Sequence, residues 1–184
     1  MSDPQDLSAF LAEAWQHLGR GVADKRSPAR FPTFCTVSAD GKPHARTVAL
    51  RAARQSDAQL EVHTDRDTPK IAHLRHTPFA AFHVWLPRAD LQIRLNCTVE
   101  ILTGESVSDD WQKVPPLSRV SYGTIPIPGT PIPDAFAYDK PAVQERFAVL
   151  RCTVSEIDLV HLGQPHRRAR YHREDNWKGS WLAP

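Results

Sequence analysis

"LQIRLNCTVEIL", residues 91–102, alternates without a break. Leu91, Ile93, Leu95, Cys97, Val99 and Ile101 fall on one parity, and Gln92, Arg94, Asn96, Thr98 and Glu100 on the other. A strand segregates these two sets onto opposite faces; a helix, turning 100° per residue, would scatter both around its circumference. The segment therefore predicts a long strand with one buried and one polar face, which is the habit of antiparallel sheets.

The flanks read the same way. "PFAAFHVWL", residues 78–86, is nearly all apolar and predicts a strand buried on both sides. "FPTFCTVSADGKPHARTVALRA", residues 31–52, predicts two strands joined by a hairpin at "ADGKP". A further strand covers about 58–63, followed by a short helix over about 68–76. Leu7, Phe10, Leu11, Ala14, Trp15 and Leu18 form a helical stripe over 5–18, with Gly19 as its stop. Short helices are expected at 105–113 and 115–122. "AVQERFAVL", residues 142–150, is expected as a helix, and "RCTVSEIDLVHL", "HRRARYHR" and "NWKGSWL" as closing strands. The stretch 123–141 carries Pro126, Pro128, Pro131, Pro133 and Pro141, so it reads as an ordered arm outside any ladder or helix interior.

Strands outnumber helices and come in hairpins. Neither a G-x-G-x-x-G nor a P-loop motif is present. The expectation is a mainly β chain of one domain over 1–184: an antiparallel Greek-key barrel with peripheral helices.

Composition narrows the function classes. The 184 residues carry 23 Lys and Arg against 21 Asp and Glu, a net charge of +2, which does not suit a phosphate-backbone binder. No apolar run reaches membrane-spanning length. The acidic, amphipathic start does not read as a secretory signal. Cys35, Cys97 and Cys152 are far apart in strand-like stretches, which suits buried thiols in a reducing, cytoplasmic setting. Nine histidines show no metal-ligand spacing, so no metal is expected.

"LEVHTDRDTPKIAHL", residues 60–74, changes from strand to helix through Thr64, Thr68 and Lys70. Thr68 suits an N-cap and Pro69 the first helical position. Lys70 then falls in the first helical turn, where the dipole disfavours a cation unless an anion is also present. The alternative is a solvated lysine on an ordinary helix start. Arg46 and Arg51 in "HARTVALR" are candidate further cations, or edge-strand partners of carboxylates. Gln92 and Arg94 on the polar face of 91–102 are either site residues or simply solvated. No residue is marked as a general acid, base or nucleophile.

In order, "PHARTVALR", "LEVHTDRDTPKIAHL", "TPFAAFHVW", "LQIRLNCTVEIL" and "RYHREDNWKGSWLAP" resemble the pyridoxamine 5′-phosphate oxidase-like flavoproteins, over about 30–103 and 140–184. The middle stretch "WQKVPPLSRVSYGTIPIPGTP" is more similar to uncharacterised FMN-binding relatives than to the oxidase. The resemblance implies a split barrel, a homodimer and FMN at its interface. It implies that Arg46, Thr47, Val48 and Ala49 line the flavin and its ribityl phosphate, and that Thr64, next to His63, contacts the flavin. It implies phosphate binding by Thr68 and Lys70 and contact of Gln92, beside Arg94, with the isoalloxazine. Arg168 would reach FMN from the partner.

The departures concern the substrate. The family's phosphate-binding arginine falls at Pro69, leaving Arg66 as the compensating candidate. The oxidase's substrate-phosphate lysine falls at Arg51, and a flavin-packing tryptophan at about Val160. Of an arginine–histidine substrate pair, His166 remains and Gln164 stands in the arginine's place. The resemblance thus implies an FMN-dependent oxidoreductase of an unidentified small molecule. A flavin carrier or sensor, or a true pyridoxamine/pyridoxine 5′-phosphate oxidase, are the alternatives.

Overall fold

The computed structural model describes residues 5–184; Met1 to Pro4, the first residues of the acidic start, lie outside it. Among these residues, nine antiparallel strands form one sheet: β1 Thr33–Val37, β2 Pro43–Thr47, β3 Leu50–Arg54, β4 Gln59–Asp65, β5 Phe79–Leu86, β6 Leu91–Thr103, β7 Phe147–His161, β8 Arg167–His172 and β9 Ser180–Leu182. Their order is β2-β1-β5-β6-β7-β4-β3, with β8 on β7 and β9 on β8. The helices are α1 Leu7–Ala23, α2 Pro69–His76, α3 Ser108–Lys113 and α4 Pro116–Arg119.

β6 follows its sequence pattern. Leu91, Ile93, Leu95, Cys97 and Val99 are buried, while Arg94, Asn96, Thr98 and Glu100 are exposed. β6 pairs with β5 on one side and β7 on the other, so its apolar face becomes the centre of the core. β5 corrects the expectation of two-sided burial. Ala80, Phe82, Val84 and Leu86 face the core, whereas Phe79 and Trp85 on the other face are exposed. An apolar run alone cannot report which of its faces is covered.

The segment 31–52 holds three strands, because Val48 and Ala49 separate β2 from β3. The expected helix at 142–150 is absent. Gln144–Arg146 makes one 3-10 turn and β7 starts at Phe147. Residues Phe147 to Leu150 are all buried because β7 lies between β4 and β6, where a central strand satisfies the backbone groups of both neighbours. Local helical spacing loses to this tertiary pairing.

α1 runs past Gly19 to Ala23. Asp6 caps it by accepting from the N–H groups of Ser8 and Ala9. Arg30 donates to the carbonyls of Gly21 and Val22 at its other end. Phe10, Trp15 and Leu18 are buried against the barrel, and Tyr171 Oη donates to the Leu7 carbonyl. Gly21 permits the close approach of 28–30, since a Cβ there would lie 2.7 Å from the Ala29 carbonyl carbon and oxygen. We expect Gly21→Ala to destabilise the protein by about 1–3 kcal/mol, the usual cost of overpacking. An unchanged denaturant midpoint would show that 28–30 yields freely.

A second, smaller core lies outside the barrel. Val107, Trp111, Val114 and Tyr122 pack on Phe147 and Val149. Trp111, Tyr122 and Phe147 meet at centroid distances of 4.9–6.1 Å.

Candidate functional site: a cation corner at the β4–α2 junction

β4 ends and α2 begins around a hydroxyl pair. Thr64 is buried, and its Oγ1 lies 3.3 Å from that of Thr68. Lys70 Nζ donates to Thr64 Oγ1 at 2.9 Å and to Thr68 Oγ1 at 3.1 Å. Thr68 occupies the N-cap position but does not cap. Its hydroxyl donates to the Asp65 carbonyl at 2.8 Å, leaving the helix start without a side-chain cap.

Lys70 makes no ion pair with a carboxylate among the described residues. Burial, and then the charge of Arg46, push its pKa down to about 8, with Asp65 opposing. Arg46 Nη1 donates to the Phe34 carbonyl at 3.0 Å and to Thr36 Oγ1 at 2.8 Å. Thr36 is buried and lies 3.0 Å from His73 Nδ1 of α2. The His73 ring meets that of His44 at a centroid distance of 4.5 Å, tilted by 42°. Burial, His44 and Arg46 hold His73 below its ordinary pKa. Its neutral Nδ1 can then accept from Thr36 while Thr36 accepts from Arg46. The corner thus holds two cations, oriented by neutral groups.

Below neutral pH the Lys70 charge opposes folding. From about pH 8, its folded pKa, up to its ordinary 10.5, the unfolded chain binds the extra proton, so stability rises with pH. We expect the ligand-free protein to gain stability relative to Lys70→Met across that window. Parallel stability curves would show that Lys70 titrates normally.

The remaining predicted residues separate into three places. Thr47 is exposed at the end of β2, while Val48 packs against the core and Ala49 precedes β3. Arg51 occupies a β-bulge between Leu50 and Ala52, where the extra residue re-aims its side chain. Its Nε is buried without a hydrogen-bond partner, and it has no carboxylate partner among the described residues. Arg51 lies against His63 and Tyr122. Burial, and then Arg51, push the His63 pKa down to about 4, so this imidazole is neutral. It meets Phe147 edge-on at 4.9 Å. His63 and Thr64 are consecutive on β4 and so face opposite sides of it.

Gln92, Arg94 and Arg168 form a separate group. Gln92 Oε1 lies 3.2 Å from His83 Nε2. Arg94 and Arg168 both reach the buried Asp158, at 2.7 and 2.9 Å. Burial raises the Asp158 pKa, but Arg168 and Arg94 outweigh it and hold the carboxyl below its ordinary value. His166 lies further out, beside Arg168, Trp181 and Leu182. No hydrogen bond or ion pair joins this group to the Lys70 corner among the described residues.

Arg66, the candidate compensating cation, is engaged elsewhere. It donates to the Glu145 carbonyl at 3.1 Å and pairs with Asp67 at 3.7 Å. The residue that sequence reading missed is Asp65. Its carboxylate accepts from Arg146 Nε and Nη2 at 2.9 Å each, from Gly123 N at 2.8 Å and from Asp67 N at 2.9 Å. It thereby ties the root of the 123–141 arm to the β4–α2 junction. Gly123 is required at that root: its φ is +132°, and a Cβ would lie 2.4 Å from the Pro141 carbonyl oxygen. Further along, Gly129 passes close to Pro69.

Fold and site together define an antiparallel β-barrel with a preformed cation corner suited to an anion. Residues 12–103, half of the chain, match the family model described as pyridoxamine 5′-phosphate oxidase, FMN-binding domain, and the chain belongs to that family. Among curated relatives, pyridoxine/pyridoxamine 5′-phosphate oxidase of Pseudomonas entomophila is 35% identical over 46% of this chain and 38% of its own length. The protein of the same name from Acinetobacter baumannii strain SDF is 26% identical over 81% of this chain and 64% of its own. The chain therefore spans less than two thirds of the length of these relatives. Among solved structures, a pyridoxamine 5′-phosphate oxidase-related FMN binding protein from Nostoc punctiforme aligns with a TM-score of 0.75 at 24% identity, covering 97% of this chain and all of the other. PhzG from Burkholderia lata, solved with tetrahydrophenazine-1-carboxylic acid, aligns at 0.72 and 21%, covering 99% and 95%. These likenesses establish the split-barrel fold. No helix is long and apolar enough to cross a membrane among the described residues.

Proposed function

We propose that this chain binds FMN and acts as an FMN-dependent oxidoreductase on a small molecule. The observation that carries the reading is Lys70: a half-buried ammonium, bonded among the described residues only to hydroxyls and next to a second cation. Burying such a charge without a counterion is costly, and a phosphate would supply one. Thr64, Thr68, Lys70 and Arg46 would hold the phosphate, and Thr47 to Ala49 would run along the ribityl chain and ring. When bound, the flavin supplies the electron transfer; the chain's residues bind, orient and exclude water.

Gln92 and Arg168 belong to the same reading only with a second copy. They are held on β6 and β8 by His83 and Asp158, with no hydrogen bond or ion pair to the Lys70 hydroxyl pair among the described residues. A symmetric homodimer would bring the partner's group to this chain's corner and complete one flavin site. Exposed Phe79 and Trp85 on β5, and Ile125, Ile127 and Phe136 of the arm, offer apolar surface for such a contact. Arg51, with its unpartnered Nε, is the cation available to a substrate's anionic group. A cytoplasmic setting fits the three free thiols, two of them buried.

Mass spectrometry of the cofactor released from purified protein tests the reading, with FMN as the expected product. Recovery of FAD alone, or a colourless protein that takes up no FMN, would overturn it. Rapid reduction of the bound flavin by NAD(P)H or a metabolite separates an enzyme from a carrier.

A further inference from the structure

A cleft of about 490 Å³ opens where β5, β6, β7 and β8 lie side by side, lined by His83, Arg94, Asp158, Arg168 and Arg170, with Cys35 and Ala81 on one wall. Register explains the gathering: Arg94 pairs with Asp158 across β6–β7, and Asp158 with Arg170 across β7–β8. Directly opposed residues project from the same face of a sheet.

The charges in this cleft do not balance. Asp158, 3% exposed, accepts from Arg168 at 3.2 and 2.9 Å and pairs with Arg94 at 2.7 Å. Arg170 Nε stands 3.6 Å from the same carboxylate, within ion-pair reach but outside hydrogen-bond distance. That Nε is buried and has no hydrogen-bond partner. Glu156, the cleft's other carboxylate, accepts from Asn96 at 3.1 Å, with His172 Nδ1 3.6 Å away. Three guanidiniums therefore face two carboxylates, both already engaged. A buried donor without an acceptor is costly, and a surplus cation is offset by an anion at the exposed end of its guanidinium, the Arg170 side chain being 39% exposed.

We propose that this cleft is a carboxylate-binding site, in which Arg170 and Arg94 receive the acid group of a small ring-bearing monoanion. The surplus is a single positive charge, which matches a monoanion. A phosphate dianion would be repelled by Asp158 and Glu156. Paired N–H groups of a guanidinium suit the two oxygens of a carboxylate. The apolar wall formed by Cys35 and Ala81 suits the ring. Gln92 and Arg94 are two residues apart on one face of β6, about 7 Å at the strand rise. The acid would thus lie about one ring's width from whatever Gln92 touches. If that is the flavin, as the proposed function has it, the ligand is the substrate; the substrate assignment, though not the carboxylate site, rests on that reading.

Titration calorimetry of the purified protein with benzoate, benzamide and phenyl phosphate tests the site. Benzoate is expected to bind at least about tenfold more tightly than its neutral amide, and more tightly than phenyl phosphate. Arg170→Gln is expected to lose about tenfold in benzoate affinity, Arg170→Lys to recover part of it, and FMN affinity to stay unchanged in both. Equal binding of benzoate and benzamide, or of benzoate to parent and Arg170→Gln, would overturn the proposal; tighter phenyl phosphate binding would overturn the carboxylate assignment. FMN affinity is read separately from quenching of flavin fluorescence. Arg170-dependent benzoate binding without FMN binding sinks the flavin reading and keeps the site. FMN binding with Arg170-independent benzoate binding does the reverse.

Discussion

Replacing Lys70 by alanine is expected to weaken FMN binding by about 1.5–3 kcal/mol, roughly ten- to a hundred-and-fifty-fold in Kd, the range for a charge-assisted hydrogen bond. The same change is expected to leave the ligand-free protein as stable as the parent or slightly more stable at pH 7. Both outcomes follow from one geometry. In the free protein the ammonium is bonded to two neutral hydroxyls and sits near Arg46, so burial and repulsion both oppose its charge. With a phosphate present, the same burial strengthens the attraction. A lysine that served folding would show the opposite pattern, with lost stability and retained affinity. FMN titration beside thermal unfolding of the ligand-free protein distinguishes the two. Equal FMN affinity in parent and variant would leave Lys70 as an ordinary first-turn residue.

Asp65→Ala is expected to give the largest loss of stability among side chains at this junction. The carboxylate is 3% exposed and accepts from Arg146 Nε and Nη2, with Gly123 N and Asp67 N besides. Removing one partner of a buried pair costs about 3–5 kcal/mol. The lower end applies here, because Arg146 keeps Asp67 at 2.8 Å. In a chain of this size, about 3 kcal/mol corresponds to a melting point lowered by roughly 6–12 °C. The arm should also come loose, since Gly123 loses its acceptor, and limited proteolysis should then cut within 123–141. A melting point within about 2 °C of the parent, with the arm still protected, would mean that Asp65 does not hold it.

These two side chains differ in how far the sequence announces them. Lys70 stands out because Thr68 and Pro69 mark a helix start, and a lysine in the first turn opposes the helix dipole. That is a local conflict, visible within a few residues. Asp65 carries no such mark. Its partner Arg146 lies 81 residues away, and the two meet only because β4 and β7 pair from Asp65 and Phe147 onwards. The same limit explains Arg66. Beside Lys70 in sequence it reads as a spare cation, yet its side chain turns to Glu145 at the root of the arm.

The secondary structure divides along the same line. The alternation of residues 91–102 fixed β6, its buried face and, with the hairpin signals around it, the antiparallel class. Side chains at period 2 leave a strand as the one conformation that separates apolar from polar. Residues 142–150 carry helical spacing of their own but run as a 3-10 turn and the start of β7. Strands on both sides require hydrogen-bond partners there, and Phe147 to Leu150 fill the space between them. Gly19 fails as a helix stop for a related reason. Its cost of about 1 kcal/mol within a helix is small beside the burial of Trp15 and Leu18 and the capping of the last turn by Arg30. What the sequence determined by itself was therefore local: strand periodicity, the helix start at Thr68 and the misplaced charge of Lys70. Tertiary structure alone decided which face of β5 is covered, which carboxylate holds which arginine, and that Gln92 bonds to His83 and Arg168 to Asp158. Those choices depend on which strands become neighbours, and that is set by the burial of the chain as a whole.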